Sequence, residues 1–409
     1  MKIAAIIPAR YASTRLPGKP LLDICGKSLI RRVWEAVKQV KGLDAVTVAT
    51  DDERIAAAVR AFGGDVCLTS ALCRSGSDRV REAAEHLPAD IYVNVQGDEP
   101  LLEPESIETL IAAFACGDDV QVATLCSRIS AEEARSPHQV KVVRAHNGDA
   151  LYFSRSLLPF VRDAKETTWF GHIGIYAFRA AALQAFSSLP PSPLEEAEQL
   201  EQLRFLQAGI PIRVLEVPPM GPGVDTVEDL ERVRTVIGNR RQQYAMNRLK
   251  DIRLVITDVD GVLTDGSLYY GSDGESLKRF HAHDGLGILL LQQAGLRLAV
   301  LSGRDCPALR RRLADLGITE CVLGQMDKRA ALRGIMERCG VCAEETAYLG
   351  DDIPDAEVFD LCGVSATVQD APAYVKSRAH IVLQTRGGHG AFRELADALL
   401  LAREHADKN

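Results

Sequence analysis

LVITDVDGVLTDG, residues 254 to 266, decides how this chain is organised. Leu254 to Thr257 are apolar or β-branched, the composition of a strand buried on both faces. The strand runs straight into an acidic turn, where Asp258 and Asp260 stand two residues apart ahead of Gly261 and Thr264. On an extended chain, residues two apart point to the same face, so this spacing predicts two carboxylates aimed at one ligand. Yet the motif comes after residue 250, and the chain already opens with another strand that becomes a basic loop, KIAAIIPARYASTRLPGKPL (residues 2 to 21). Two such beginnings predict two domains.

The rest of the pattern agrees. Up to residue 237, strand-like runs such as AVTVATD, IYVNVQGD and QVATLCS alternate with amphipathic stretches such as SLIRRVWEAVKQV and DERIAAAVRAFG. Residues 238 to 250, GNRRQQYAMNRLK, are polar and basic and read as a linker or a helix end. Alternation then restarts with RLVITDVD, a hairpin-like stretch over 263 to 280, the helix GLGILLLQQAG and the strand RLAVLSG. The expectation is α/β: two doubly wound, mainly parallel-sheet domains over residues 1–237 and 251–409, joined by 238–250.

Composition narrows the function classes. A net charge of −8 argues against a broad nucleic-acid face, which needs clustered Lys and Arg. No apolar run reaches the roughly 18 residues of a membrane helix. The N-terminal apolar run is too short for a secretory signal, so the expected setting is cytoplasmic. Ten cysteines are scattered without a framework. Cys339 and Cys342 make the CxxC, with no second pair to complete a zinc site, so reduced thiols are expected.

The first loop gathers Arg10, Ser13, Arg15 and Lys19 before and after the Pro17-Gly18 turn. Backbone amides in such a turn converge on phosphate oxygens, and the cations neutralise them. VNVQGDEP places Asp98 at the carboxyl end of a strand, where open α/β sheets bind ligands. GVDTVEDL supplies Asp225, which reads equally as a second carboxylate for Mg²⁺ or as a neighbour of a helix cap.

Taken together, IPARYASTRLPGKPL, SGSDRV, VNVQGDEP, VKVV, LYFSR, HIGIY, LEQLR and GVDTVEDL resemble the 3-deoxy-manno-octulosonate (Kdo) cytidylyltransferase family over residues 1 to 237. The resemblance implies a nucleotidyltransferase Rossmann-like fold and attack of the Kdo 2-hydroxyl on the α-phosphorus of CTP. It assigns Arg10, Arg15 and Lys19 to the triphosphate, and Ser75, Asp78, Arg79 and Gln96 to the cytidine. Asp98 and Asp225 would hold Mg²⁺. Arg155, His172, Tyr176, Glu201 and Gln202 would face the sugar acid, although Tyr176 also reads as core and Glu201 as a solvated helix residue. One departure is visible: the family writes RHxGIY, whereas Gly171 precedes His172 here.

The second motif has company too. VLSGR ends a strand with Ser302, a hydroxyl donor to phosphate; GQMDKRAAL supplies Lys328; and LGDDIPD brings Asp351, with Asp352 and Asp355 nearby. Asp258, Asp260, Ser302, Lys328 and Asp351 in this order resemble haloacid-dehalogenase-type phosphatases. There one acid attacks phosphorus and the other protonates the leaving oxygen. Mg²⁺ is implied at Asp258, Asp260 and Asp351. YYGSDGESLKRF, HDGLGI, GDDIPD and RGGHGAFRE bring the resemblance closer, to Kdo 8-phosphate phosphatases without a cap domain. Such members close their sites with neighbouring subunits, typically as homotetramers. Arg386 would then reach a neighbour's sugar, or be a flexible surface residue. The implied substrates are CTP, Kdo and Kdo 8-phosphate. The rival readings are a sialic-type or 8-amino-Kdo cytidylyltransferase fused to its phosphatase, and a second domain that only oligomerises.

Overall fold

The computed structural model describes residues 1–12, 16–73, 75–115, 119–163, 167–186, 188–190, 192–272 and 274–406. Its contacts divide the chain into two units, Met1–Val233 and Arg234–Asn409. Residues 238–250, read above as a linker or a helix end, are helical: helix Val227–Arg248 is followed by a 3₁₀ turn, Leu249–Asp251. Ala245, Leu249 and Ile252 are fully buried in the core of the second unit.

In the first unit the sheet runs in the order Ile212–Glu216, Val122–Ile129, Trp169–Arg179, Ile91–Asn94, Ile3–Ala9, Ala45–Thr50, Asp65–Leu68. All neighbours are parallel except at Trp169–Arg179, which is antiparallel to both sides. The central strand, IAAIIPA, is apolar throughout because helices cover both faces of such a sheet. Strand Trp169–Arg179 slips register against Val122–Ile129 between Ile173 and Tyr176. A bulge of this kind re-aims side chains beside a site.

The second sheet orders Glu320–Leu323, Arg297–Ser302, Leu254–Thr257, Thr346–Gly350, Val364–Thr367, Ile381–Val382, all parallel. Leu254–Thr257 is central and fully buried, as its composition predicts. The strand ends at Thr257, however. Beyond it the chain coils about the Val259 carbonyl, which accepts the amides of Val262, Leu263 and Thr264 at 3.2, 2.9 and 3.0 Å. Asp258 and Asp260 thus share a tight turn rather than one face of an extended strand, which corrects the spacing argument. Gly261 makes the turn possible: its φ is +89°, and a β-carbon there would fall inside the Asp351 carboxylate.

Where 263–280 was expected to form a hairpin, Tyr269–Gly271 pairs antiparallel with Gly274–Leu277. No helix among the described residues is long and apolar enough to cross a membrane.

Candidate active sites

At the carboxyl end of the first sheet, the Val224 amide donates to the Asp98 carbonyl at 2.9 Å. This docks the loop of Asp225 beside Asp98, although the two acids are far apart in sequence. The two readings of Asp225 separate here. Thr226 does the capping: its hydroxyl donates to Asp229 at 3.0 Å, and the Asp229 amide donates back at 3.2 Å. Asp225 turns to Lys19, whose ammonium donates to Asp98 Oδ2 at 2.7 Å and to Asp225 Oδ1 at 2.9 Å. Burial works against the Lys19 charge, but the two carboxylates outweigh it and hold the pKa above its ordinary value. Glu99 is pushed up to about 7, by burial first and then by Asp98 and Asp225.

Two adjoining cavities meet at this crevice. One, of about 400 Å³, is lined by Arg10, Lys19, Gly97, Asp98 and Asp225. The other, of about 630 Å³, is lined by Arg155, His172, Tyr176, Glu201 and Gln202 with an aromatic wall of Phe178, Phe186 and Phe205. Arg10, Gly76, Gln96 and Asp225 belong to both. The bulged strand presents His172 and Tyr176. His172 Nε2 lies 3.1 Å from the Thr124 hydroxyl, and its ring packs against Phe153 and Tyr176 at 5.0 and 5.4 Å. Burial pushes the His172 pKa down to about 3, so the imidazole is neutral at physiological pH. Glu201 is raised by burial. Arg155 spends its Nε on the Glu198 carbonyl at 2.9 Å.

The second site draws on three adjacent strands. Asp258, Ser302 and Asp351 sit at or just past the carboxyl ends of Leu254–Thr257, Arg297–Ser302 and Thr346–Gly350. Lys328 opens helix Lys328–Cys339. Its ammonium is 2.9 Å from Asp258 Oδ2 and donates to Asp355 Oδ1 at 2.6 Å. Asp355 is saturated: Tyr348 donates to Oδ1 at 2.6 Å, and the amides of Asp351 and Asp352 donate to Oδ2 at 3.1 Å each. It is an anchor. By contrast, Asp258 Oδ1, Asp260 Oδ2 and Asp351 Oδ1 are buried without a hydrogen-bond partner. They converge on a cavity of about 580 Å³ that Gly303, Arg304, Met326 and Leu268 also line. Burial, then Asp355, raises the Asp258 carboxyl; burial, Asp355 and Asp258 push Asp351 up to about 8. Asp258, Asp351 and Asp355 offer oxygens within 4.8 Å of one another, a group able to hold a metal ion.

Comparison with known proteins divides in the same way. Residues 4–213 match the cytidylyltransferase family model. The 3-deoxy-manno-octulosonate cytidylyltransferase of Escherichia coli is 50% identical over 244 residues, 60% of this chain and 99% of that protein. This chain belongs to the 3-deoxy-manno-octulosonate cytidylyltransferase family. A solved CMP:2-keto-3-deoxy-manno-octonic acid synthetase complexed with CTP superimposes on this chain with a TM-score of 0.58 at 50% identity, covering 59% of this chain and 100% of that one. Residues 317–395 match the haloacid dehalogenase-like hydrolase model. The cobalt-bound deoxy-D-mannose-octulosonate 8-phosphate phosphatase of Haemophilus influenzae is 54% identical, covering 38% of this chain and 92% of that one, with a TM-score of 0.38.

Of the residues singled out in the sequence, Arg10, Lys19, Gln96, Asp98, Asp225, Arg155, His172, Tyr176, Glu201 and Gln202 line the first crevice. Ser13 and Arg15 lie outside the described residues. Ser75 and Asp78 form the capping box of helix Gly76–His86, and Arg79 is buried on Asp51 and Thr69. The cavity side of that helix start is Gly76 and Ser77. Asp258, Asp260, Ser302, Lys328 and Asp351 all line the second cavity, while exposed Arg386 bonds Gln369 at 3.3 Å outside it. Asn94 was missed, although it sits inside a motif already quoted, and burial distinguishes it. Asp355 was named only as a neighbour of Asp351, and its donors mark it as an anchor. A β-carbon at Gly171 would lie 2.7 Å from Gln139 Nε2 and from Ile129, so Gln139 fills the space that the family's arginine would need.

The depressed His172 pKa has a definite sign. Between about pH 6.5 and 3 the unfolded state takes up a proton that the folded state refuses, so stability falls as pH drops. From pH 7 to 5, His172 should cost the first unit about 1–2 kcal/mol. Urea unfolding of wild type and His172→Gln at both pH values reads this as a steeper loss in wild type; equal slopes would contradict it.

Proposed function

We propose that the chain joins two consecutive reactions, hydrolysing Kdo 8-phosphate to Kdo in the second unit and coupling Kdo to CMP in the first. The observation that carries this reading is the repeated arrangement at both strand-end crevices. In each, a lysine braces two carboxylates beside a cavity, and the first belongs to a cytidylyltransferase family. Motifs over 1–237 and 251–409 define the proposed catalytic regions.

In the first reaction the Kdo 2-hydroxyl attacks the α-phosphorus of CTP. The bond to the bridging oxygen breaks, pyrophosphate leaves, and the hydroxyl proton passes to solvent. Such chemistry needs positioning and charge neutralisation more than a covalent nucleophile. Arg10, Arg15 and Lys19 would take the triphosphate, Gln96 the cytidine, and Arg155, His172, Tyr176, Glu201 and Gln202 the sugar. Ser75, Asp78 and Arg79 would serve by shaping the loop that presents Gly76 and Ser77.

In the second reaction Asp258 attacks phosphorus, and the leaving sugar oxygen takes a proton from Asp260. Water then gives a proton to Asp260 and attacks the aspartyl phosphate, restoring Asp258 and releasing phosphate. Ser302 and Lys328 would hold phosphate oxygens. Three carboxylates against one ammonium leave a formal charge of minus two, which suits a divalent cation. The orphaned oxygens of Asp258 and Asp351 would bind Mg²⁺ here, while Asp260, the third expected ligand, lies outside the close group of carboxylates and is assigned to proton transfer instead; Asp98 and Asp225 would bind it in the first site. When bound, it neutralises charge building on the phosphoryl oxygens.

With CTP as co-substrate, the proposed setting is the cytoplasm. We also propose a homotetramer through the second unit, with Arg386 reaching a neighbour's sugar. Tyr270 and Leu277 on the hairpin are 67% and 65% exposed, and Leu286 and Leu289 are exposed on helix Ala282–Gln293, apolar residues that contact with a neighbouring subunit would cover.

Asp258→Asn should abolish phosphate release from Kdo 8-phosphate by at least ~10³-fold while leaving CMP-Kdo formation from free Kdo unchanged. Asp98→Ala or Asp225→Ala should do the reverse, lowering transfer by about 10²–10³-fold. A single variant that silences both reactions, or neither, would refute the division. Light scattering should give four times the 44.5 kDa chain mass, reduced by Leu289→Asp; a fully active single chain would exclude the tetramer.

A further inference from the structure

Lys278 stands outside the second cavity, yet it is tied to its acid. Its side chain is 1% exposed. The ammonium donates to Asp260 Oδ1 at 2.5 Å and makes an ion pair with Glu275 Oε1 at 2.8 Å. The Thr264 hydroxyl also donates to Asp260 Oδ1, at 3.3 Å. The other oxygen, Asp260 Oδ2, is buried without a hydrogen-bond partner. Arg304 completes a balanced quartet, 3.9 Å from both Asp260 Oδ2 and Glu275 Oε2. Asp260 and Arg304 line the cavity; Lys278 and Glu275 do not.

We infer that Lys278 is the positioning residue for Asp260: by occupying Oδ1 it turns Oδ2 toward the substrate's leaving oxygen. This deepens the phosphatase reading and rests on it. A carboxylate at the end of a turn can rotate about its side-chain torsions, and proton transfer tolerates little error in reach. Asp260 follows the strand end by three residues, so the sheet does not fix it as it fixes Asp258. The constraint comes instead from the hairpin Tyr269–Gly271 and Gly274–Leu277, immediately before Lys278. Glu275 holds the ammonium from the far side, at the i,i+3 spacing across the hairpin's second strand. Thr264 supports the same oxygen but is neutral, and at 3.3 Å it is the weaker anchor.

The role has a kinetic signature. When the leaving oxygen is a sugar alkoxide, P–O cleavage needs the proton of Asp260. When it is p-nitrophenolate, the departing anion is stable and needs little help. A residue that aims Asp260 therefore matters for the first ester and hardly at all for the second, whereas a merely structural residue affects both alike.

The test uses the full chain with Mg²⁺, Kdo 8-phosphate and p-nitrophenyl phosphate. Lys278→Met should lower kcat on Kdo 8-phosphate by about 10²-fold or more, the usual contribution of general acid catalysis, and on p-nitrophenyl phosphate by less than about 10-fold. KM should change little for either, and Lys278→Arg should recover most of the loss. Equal losses on the two esters, or no loss on the sugar phosphate, would overturn the inference. CMP transfer to free Kdo reports whether the first unit is intact, and a melting curve reports on the second. If Lys278→Met does not fold, Lys278→Gln keeps an N–H donor and should show the same split at smaller size; an even loss there overturns the inference equally. A wild-type chain that hydrolyses neither ester would defeat the phosphatase reading itself, an outcome distinct from an even loss in an active enzyme.

Discussion

Two carboxylates crowded at the mouth of a sheet repel one another, and both units meet this constraint with a lysine ammonium set between them, half-buried in the first unit and buried in the second. Lys19 lies between Asp98 and Asp225, and Lys328 between Asp258 and Asp355. At separations of several ångströms, like charges cost about 3 kcal/mol even at an effective dielectric constant near 20. A cation in the middle reverses the sign. It also sets direction: a carboxylate oxygen bound to lysine leaves its twin to face the ligand. The pattern is plainest at Asp258, where Oδ2 meets Lys328 and Oδ1 has no partner.

The backbone brings the charges within reach. In the second sheet, neighbouring parallel strands deliver Asp258, Ser302 and Asp351 to one edge, because adjacent strands lie about 4.8 Å apart. Glycine then allows closer approach than strand spacing alone. Gly261 admits the Asp351 carboxylate, and Gly387 admits the Gly261 carbonyl, where a β-carbon would collide with each. The tail also returns a hydrogen bond from the Gly388 amide to Val262 at 2.8 Å, so the acidic turn is held from both sides. In the first unit the Val224–Asp98 backbone bond performs the matching task.

Much of this was legible in the chain itself. Period and composition gave two α/β units with mainly parallel sheets, and motif order gave the acids and lysines at the strand ends. What sequence could not supply was direction within a motif. Ser75 and Asp78 sit in the SGSDRV motif, but their side chains close a helix cap, and their neighbours Gly76 and Ser77 face the cavity. Asp355 looked like one more acid beside Asp351, and only its four donors mark it as an anchor. Lys278 was invisible for a different reason. Its partner Asp260 lies 18 residues back, and the hairpin expected between them does not tell which of its side chains returns to the acidic turn.

The central claim is that the second unit makes what the first consumes, and phosphorus NMR of one reaction tests it. The intact chain is given Kdo 8-phosphate, CTP and Mg²⁺, with no free Kdo. The account predicts that the sugar-phosphate signal gives way to orthophosphate first, and that CMP-sugar and pyrophosphate then appear in equal amounts, never exceeding the orthophosphate released. A CMP-sugar still carrying its 8-phosphate, or orthophosphate accumulating while CTP stays intact, would contradict it.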